Sequence, residues 1–512
     1  MKCKQTLELL ALTGAVTGTA LTAQAGTRPN VLLITVDDLK PILGCYGNEV
    51  VKTPNIDRLA ARGTIMLNNY CQQAICAPSR MSMFTGLRPD TTKVWDLATD
   101  LRTVCPSAVT MQQYFKQNGY ETSGSGKVMH GSRGNDPLSW TIPFREDKNL
   151  KYADGYPVPA NDFYQGEKEQ AVYKELQKAK ITDWGTRFKW MADKGAMPST
   201  ECLDVPDDAY ADGAQANYNI GLLEKFSKEN KPFFMTIGFH KPHLPFVAPK
   251  KYWDMYDREK IELAPFQKEA ANSPSFAYTQ WGELKSYSDI PSEWNTPLEK
   301  DDQKKIIHGY YACASYTDAQ IGKVLDKLDE LGLSDKTIIV LWGDHGWHLG
   351  DHNLWCKHTN FEQATRAPLI VAAPGYKTGQ KTSGMTEFVD IYPTLCELAG
   401  LQIPGALEGA SLVPLLKDPS ASVKDYSISQ YPRQDKRMGY TLRTERYRLT
   451  MWMKNGWRTT QKFDEALVDA TELYDYEKDP LETVSQQNNP EYKEILEDLR
   501  GKMLGYFKKY EK

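Results

Sequence analysis

Ionisable side chains follow several apolar runs of this 512-residue chain, at the point where each run ends. They are Asp37 and Asp38, Lys127 and His130, His240, and Asp344. In an open α/β sheet, ligands bind in the crevice outside the carboxyl ends of the strands. One such residue is explained by a turn or a helix cap. Several at matching positions predict a shared site.

Three of these side chains are carboxylates. A cluster of Asp37, Asp38 and Asp344 could not stay ionised without a cation, because like charges at close range raise the pKa of a carboxyl group. Ligation by oxygen favours a hard divalent ion, Ca²⁺ or Mg²⁺, over zinc. The carboxylates therefore predict a metal site.

Basic side chains accompany the predicted metal site. Arg80, Lys127 and Lys357 are donors of the kind that bind a tetrahedral oxyanion through charge-assisted hydrogen bonds. A divalent metal beside such donors predicts hydrolysis of a sulfate or phosphate ester.

One cysteine stands in an unusual setting, within the segment YCQQAICAPSRMSMFTG at residues 70–86. Cys76 directly precedes Ala-Pro-Ser-Arg, and it could be half of a disulfide, a metal thiolate, a nucleophile or a residue that is modified after translation. The chain has nine cysteines at scattered spacing, without a Cys-x-x-Cys or zinc pattern. We interpret most of them as buried free thiols.

The elements that position these residues follow from the apolar pattern. Near-continuous apolar runs at 30–38, 231–243, 336–346 and 367–375 are typical of strands buried on both faces of a largely parallel sheet. Helical patterns lie between them, one at 53–63 with Thr53 as cap and Pro54 at the first helical position, another at 316–332. The alternation predicts an α/β fold, a sheet flanked by helices.

The remaining segments suggest the domain organisation. Residues 130–230 have weak periodicity and are predicted to be surface insertions that wall a substrate cleft. Strand patterns at 426–433, 438–453 and 471–480 and a helical pattern at 490–510 predict a smaller α+β subdomain. We place a catalytic domain at 26–424 and a C-terminal antiparallel-sheet subdomain at 425–512.

The N-terminal residues have the layout of a secretory signal. Basic residues, an apolar run and Ala23-Gln24-Ala25 predict a signal peptide at 1–25, hence a periplasmic or secreted protein. The net charge of -4 indicates neither a nucleic-acid nor an anionic-membrane partner. No later segment has the apolar length of a membrane span.

The segment from Cys76 to Arg80 resembles the Cys-x-Pro-x-Arg signature of type I sulfatases, in which the cysteine is oxidised to formylglycine. Thr85 and Gly86 match the extension of that signature. Further segments resemble the iduronate 2-sulfatase group of that family: VDDL, QQAICAPSR, LRPDTT, GKVMH, GFHKPH, GDHGWHLGDH, SQYPR and MGYTLRTERYRLTMW. The resemblance covers essentially the whole chain after the predicted signal peptide.

The resemblance implies an alkaline-phosphatase-like fold, with a large mixed, mostly parallel sheet. It also implies a Ca²⁺ ion held by Asp37, Asp38, Asp344 and His345, with the formylglycine made from Cys76 as a further ligand. Many sulfatases have asparagine where this chain has His345, but the iduronate group shares the histidine.

The resemblance also implies roles for the remaining site residues. Arg80 anchors the formylglycine, while Lys127, His130, His240 and Lys357 match sulfate-binding and proton-transfer positions. The hydrated aldehyde has two hydroxyl groups. One attacks sulfur and forms a covalent sulfate ester. The other loses its proton to a base such as His130, and the resulting collapse to the aldehyde releases sulfate. His240 or Lys357 protonates the departing sugar oxygen.

The expected function is exo-acting 2-O-desulfation of a hexuronate in a saccharide such as a glycosaminoglycan. Two alternatives stay open: a phosphonate or phosphate monoester hydrolase of the same superfamily, and an inactive carbohydrate-binding relative. The expected partners are a sulfated saccharide and a formylglycine-generating maturase. Candidate cleft residues near the motifs are Arg133, Trp347, His348, His358 and Arg433.

Overall fold

The structure is a computed structural model that describes residues 28–509 apart from 131–134, 230, 281, 292–296, 434 and 460. The predicted signal peptide and the candidate cleft residue Arg133 therefore lie outside the described residues. No described helix combines the length and the apolar composition that crossing a bilayer requires.

The described strands fall into one large sheet, a four-stranded sheet and two small ribbons. In chain order they are β1 (Asn30–Val36), β2 (Thr64–Tyr70), β3 (Glu121–Gly126), β4 (Thr200–Leu203), β5 (Phe233–Phe239), β6 (Phe246–Pro249), β7 (Thr337–Gly343), β8 (His348–Leu349), β9 (Trp355–Cys356), β10 (Leu369–Ala372), β11 (Gln380–Glu387), β12 (Ser427–Pro432), β13 (Met438–Arg443), β14 (Tyr447–Met453) and β15 (Val468–Asp475).

The α-helices lie mainly in the connections between these strands. In chain order they are α1 (Pro54–Ala61), α2 (Cys76–Thr85), α3 (Pro89–Thr92), α4 (Leu101–Val104), α5 (Met111–Gln117), α6 (Glu167–Lys178), α7 (Trp184–Asp193), α8 (Ala211–Phe226), α9 (Lys250–Trp253), α10 (Gly282–Lys285), α11 (Lys300–Glu330), α12 (Glu362–Thr365), α13 (Ile391–Leu398), α14 (Val413–Lys417) and α15 (Lys493–Lys509).

The large sheet has the strand order β11-β2-β10-β7-β1-β5-β3. Strand β1 pairs in parallel with β5 and β7, and β3 pairs in parallel with β5. Strand β10 is antiparallel to both of its neighbours, β2 and β7. The four apolar runs of the sequence are β1, β5, β7 and β10, so the prediction of a mixed, mostly parallel sheet is confirmed.

Helices cover both faces of this sheet. In β1, Val31 and Leu33 pack on one side with residues of α2, α5 and α13. Leu32 and Ile34 pack on the other side with residues of α1, α8 and α11. Burial on both faces explains why the central strands are apolar without alternation.

Helix α1 begins at Pro54, as predicted, and its first N–H groups are capped by a side chain that is remote in the sequence. The Asp318 carboxylate of α11 accepts hydrogen bonds from the N–H groups of Asn55 and Ile56, at 3.1 and 2.7 Å. Helix α11 has 31 residues and starts well before the predicted 316–332. Its N-terminal half packs into a second apolar cluster, which stabilises the added turns.

The prediction of surface insertions was wrong for residues 211–226. They form α8, whose Ala216, Leu223 and Phe226 pack against the central sheet. The helix is rich in alanine and glycine on its buried side, so its apolar periodicity is weak in the sequence. Helices α6 and α7 within the same region are mostly exposed, as expected of insertions.

The C-terminal strands form the antiparallel sheet β12-β13-β14-β15, and α15 packs against it through Leu499 and Met503. Polar contacts cross the predicted boundary at 425: Arg443 pairs with Glu362 at 3.0 Å, and the N–H group of Ile428 donates to Glu387 at 2.8 Å. Just before the boundary, Lys424 pairs with Glu387 at 2.7 Å and with Asp390 at 2.6 Å. The boundary itself stays a prediction.

Candidate active site

Four neighbouring parallel strands position predicted site residues at their carboxyl ends, on one side of the sheet. Strands β7, β1, β5 and β3 are consecutive in the sheet. The residues that directly follow them are Asp344, Asp37, His240 and Lys127. Because Val36 of β1 is in register with Gly343 of β7, Asp37 and Asp344 start side by side.

Helix α2 brings Cys76 and Arg80 to the same edge. The two residues are one helical turn apart, so their side chains lie on the same face of α2. The Arg80 side chain is fully buried, and it pairs with Asp37 at 2.8 Å and with Asp344 at 2.9 Å. It also donates to the carbonyl oxygen of Val128, at 2.8 Å. Arg80 thus ties the ends of β1, β3 and β7 together.

The Cys76 side chain lies among the carboxylates. Its Sγ atom is 3.5 Å from Nε2 of His345 and 3.9 Å from Oδ1 of Asp38. Burial and the carboxylate of Asp37 raise the pKa of the Cys76 thiol well above its usual range. A thiol with a raised pKa is a weak nucleophile. All described cysteines are free, Cys76 among them.

The buried carboxylates and His345 form a group that could hold a metal ion. Ligand atoms of Asp38, Cys76, Asp344 and His345 all lie within 4.8 Å of one another. The Nδ1 atom of His345 lies 2.9 Å from the carbonyl oxygen of Gly346. A carbonyl only accepts hydrogen bonds, so Nδ1 carries a proton, and Nε2, 3.1 Å from Oδ1 of Asp38, is the ring nitrogen placed to bind a cation. The donor set fits a divalent cation.

Lys127 and His130 follow β3 and differ in charge. The Lys127 ammonium lies 3.0 Å from Oδ2 of Asp37. Burial and the neighbouring charge of Lys127 lower the pKa of His130 well below its usual value. The imidazole is therefore neutral near pH 7, and its Nδ1 has no hydrogen-bond partner among the described residues. A neutral imidazole with a free nitrogen can accept a proton.

His240 stands at the end of β5 and pairs with a residue that the sequence analysis did not identify. Its Nε2 atom is 2.7 Å from Oδ2 of Asp147, which lies in the insertion at 130–230, and its side chain is 22% exposed. The Asp212 carboxylate of α8 accepts hydrogen bonds from the backbone N–H groups of His240 and Lys241. Burial opposes protonation of His240, but Asp147 and Asp212 outweigh it and raise its pKa. The imidazole can therefore hold a proton.

Lys357 is almost completely buried, at 2% exposure, between two carboxylates. Its ammonium donates to both oxygens of Asp38, at 2.9 and 2.8 Å, and to Glu283 at 3.2 Å. It also lies 4.9 Å from the ring centroid of Trp347. Lys357 thus lies at the same site as the strand-end residues.

Two side chains beside Lys357 were not among the predicted site residues. His243 Nε2 lies 3.1 Å from Glu283 and 3.7 Å from Asp38. The segment GFHKPH could have indicated His243, because it follows the end of β5. Glu283 and Asp147 lie outside any motif, so no local signal could have identified them.

The structure assigns different surroundings to the candidate cleft residues. Trp347 and His348 are buried, and the His348 Nε2 atom hydrogen-bonds with Thr359. Arg433 donates to backbone carbonyl oxygens of Phe276, Ala277, Pro432 and His358. The guanidinium therefore connects three chain segments rather than projecting freely into a cleft. The His358 ring is partly exposed, 3.8 Å from Glu283.

Comparisons with known proteins identify the family of this chain. The family model described as Sulfatase matches residues 29–401, and the model described as N-sulphoglucosamine sulphohydrolase, C-terminal, matches residues 350–509. Iduronate 2-sulfatase of Homo sapiens is 34% identical over 90% of this chain and 91% of its own length. A sulfatase of Formosa agariphila is 32% identical over 92% of this chain and 86% of its own length.

A solved structure shares the fold. The phosphonate monoester hydrolase of Agrobacterium radiobacter has a TM-score of 0.70 and 22% sequence identity, covering 93% of this chain and 95% of its own. Sulfatases generally use a formylglycine and a divalent metal, and the Asp/Cys/His group described above is a candidate site for the metal. The chain therefore belongs to the sulfatase family, as a sulfuric ester hydrolase close to the iduronate 2-sulfatase group.

Proposed function

We propose that the protein is an exported, exo-acting sulfatase that removes a 2-O-sulfate from a hexuronate or related sugar, using a formylglycine made from Cys76 and a bound Ca²⁺ ion. The observation that carries this proposal is the position of Cys76. It begins a fully buried helix, and its sulfur groups with carboxylates of Asp37, Asp38 and Asp344, which pair with Arg80, Lys127 and Lys357.

The formylglycine supplies, as a hydrated aldehyde, the oxygen nucleophile that a buried thiol cannot supply. A maturase must act on this chain before it has folded fully, because Cys76 is only 1% exposed in the folded protein. Mass spectrometry of the peptide that contains residue 76 tests the conversion. A mass reduced from that of the cysteine form is expected in protein from a host with a maturase, and an unchanged mass in active protein would contradict the proposal.

Asp37, Asp38, Asp344 and His345, together with residue 76, would hold the cation. Ca²⁺ is preferred because carboxylate oxygens dominate the donors and Ca²⁺ is a hard ion. Bound, it would supply positive charge for the oxyanions of the reaction. Elemental analysis of the purified active protein tests the identity of the ion.

The remaining side chains have roles that follow from their surroundings. Arg80 orients residue 76 and the carboxylates, and Lys127 and Lys357 bind sulfate oxygens. His130, neutral with a free nitrogen, accepts a proton. His240 donates a proton to the departing sugar oxygen, since Asp147 raises its pKa against the effect of burial and its side chain is partly exposed. Lys357 is less suited to protonating the sugar oxygen, because its ammonium already pairs with the carboxylates of Asp38 and Glu283.

Two observations support the choice of substrate. Relatives named iduronate 2-sulfatase are 34% identical over at least 90% of this chain. The insertion contributes Asp147, which contacts His240, and the C-terminal segment contributes Arg433, which contacts the backbone of His358; contacts from both segments favour a closed pocket for a terminal sugar. A panel of oligosaccharides with one sulfate at known positions tests this choice. Preference for a 6-O-sulfated hexosamine, or desulfation of internal residues, would contradict it.

Phosphonate or phosphate monoester hydrolysis is the second candidate activity, because a phosphonate monoester hydrolase shares the fold. Parallel assays of sulfate, phosphate and phosphonate esters of one phenol distinguish the two. The sulfate ester is expected to have the highest kcat/KM.

Export is proposed from the N-terminal sequence pattern at 1–25. N-terminal sequencing of the protein from periplasmic and culture fractions tests it. A mature N-terminus after Ala25 is expected, and full-length protein confined to the cytoplasm would contradict export.

A further inference from the structure

The Glu283 carboxylate reaches the active site from α10, outside the motifs of the chain. Its side chain is 20% exposed. One oxygen lies 3.2 Å from the Lys357 ammonium and 3.1 Å from Nε2 of His243. The other lies 3.8 Å from Nε2 of His358. A carboxylate that accepts from a buried ammonium is ionised, so Glu283 adds a negative charge at this place.

The negative charge of Glu283 lies close to the proposed position of the substrate anion, because both contact Lys357. The same ammonium that contacts Glu283 also donates to both oxygens of Asp38. Lys357 is one of the two lysines proposed to bind the sulfate group. Glu283 is therefore separated from the bound ester oxyanion by a single ammonium group.

The charges around the site show why this position matters. Arg80, Lys127 and Lys357 pair with three strand-end carboxylates, Asp37, Asp38 and Asp344. Glu283 is a fourth carboxylate beyond this set. Among the described residues its only lysine or arginine partner is Lys357, which it shares with Asp38.

Substrate esters differ in charge. A sulfate monoester carries one negative charge, whereas a phosphate monoester carries nearly two above a pKa of about 6. Coulomb repulsion from a fixed carboxylate is proportional to the charge of the ester. Glu283 therefore repels a bound phosphate dianion about twice as strongly as a sulfate monoanion.

We propose that Glu283 is a specificity-determining residue that selects monoanionic sulfate esters over dianionic phosphate monoesters. The inference rests on the proposed function of this site. It assigns to Glu283 an effect on substrate charge, distinct from its contacts that position Lys357 and His243. If positioning were its whole role, removing the charge would affect esters of either charge alike.

The test compares three esters of one phenol at about pH 8, where the phosphate monoester is a dianion. The sulfate and methylphosphonate esters are monoanions, so the phosphonate separates charge from the identity of the central atom. The variants are Glu283→Gln, which removes the charge at nearly constant shape, and Glu283→Asp, which keeps it.

In Glu283→Gln, the kcat/KM ratio of phosphate to sulfate is expected to rise on the order of tenfold, because the repulsion acts over a short distance in a partly buried site. The ratio of phosphonate to sulfate is expected to stay within about threefold of its wild-type value, since both esters carry one charge. Glu283→Asp is expected to keep both wild-type ratios.

Binding provides a second measurement that does not depend on turnover. Calorimetry on the Cys76→Ala protein with and without Glu283→Gln is expected to show that replacing Glu283 tightens the binding of phenyl phosphate more than the binding of phenyl methylphosphonate. An unchanged ratio, or an equal loss for all three esters, would overturn the inference. Absence of sulfate ester hydrolysis by the wild-type enzyme would overturn the proposed function instead.

Discussion

The strand edge and the rim of the site differ in how their side chains are held. At the strand edge, Asp37, Asp344 and Arg80 are at most 1% exposed and follow or face the central strands. At the rim, Asp147 and Glu283 are about one-fifth exposed and lie on a 3₁₀ turn, Asp147–Asn149, and on the four-residue helix α10. In the proposed function, regular elements therefore fix groups assigned to the reaction at sulfur, while connections carry the two carboxylates assigned to the leaving group and to substrate charge.

Replacing Cys76 tests the strand edge most severely. Cys76→Ala removes the precursor of the nucleophile and is expected to lower kcat by at least about 10³-fold. Hydrolysis of an aryl sulfate measures the effect. Cys396→Ala, which truncates a buried free thiol of α13, is the matched control and should keep near-normal activity. Near-normal activity of Cys76→Ala would rule out the mechanism.

Replacing Asp344 separates metal binding from structural support. Asp344→Asn removes a predicted ligand and one partner of Arg80, so metal content and kcat are expected to fall, kcat by about 10²-fold or more. Elemental analysis and kinetics measure the two effects. Asp318→Asn changes another buried aspartate, which lies in α11 and caps the start of α1, and it should keep the metal. Full metal content in Asp344→Asn would contradict the ligand assignment.

Replacing Asp147 tests the rim through the pH profile. Asp147 raises the pKa of His240, so the proton donor stays charged over a wider pH range. In Asp147→Asn this pKa falls, His240 loses its proton at lower pH, and the alkaline limb of kcat moves to lower pH. We expect kcat to fall about tenfold on the alkaline side. The exposed Asp154 in the same insertion is the control, since Asp154→Asn should leave the profile unchanged.

The smallest effect on chemistry is expected at Arg433. Arg433→Gln removes hydrogen bonds to carbonyl oxygens of three chain segments and should lower the free energy of unfolding by about 1–3 kcal/mol. Denaturant unfolding measures this loss, and kcat for a small aryl sulfate should change less than about threefold. Arg58→Gln, which breaks a surface ion pair with Asp326, should cost less than about 1 kcal/mol. A large loss of kcat without a stability change would instead place Arg433 in the chemistry.

Prediction from sequence succeeded where the burial of an element determines the residue types within that element. The apolar runs identified β1, β5, β7 and β10 because strands buried on both faces have few polar positions. It failed for α8, whose small residues give little periodicity although they pack closely on the sheet. It also failed for Glu283 and Asp147, which only the folded chain brings beside Lys357 and His240.

The sequence by itself determined the parallel strands, the charged residues at their ends and the signature around Cys76. The strands follow from the apolar pattern, which extends over a few residues, and the signature from its resemblance to that of type I sulfatases. Only the tertiary structure decided which charged side chains lie close enough to interact with one another. Asp147 contacts His240 and Glu283 contacts Lys357 across 93 and 74 residues of sequence, because the fold brings the segments that carry these carboxylates to the ends of the strands. Coulomb interactions depend on distance in space, so the charge of the rim appears only in the folded chain.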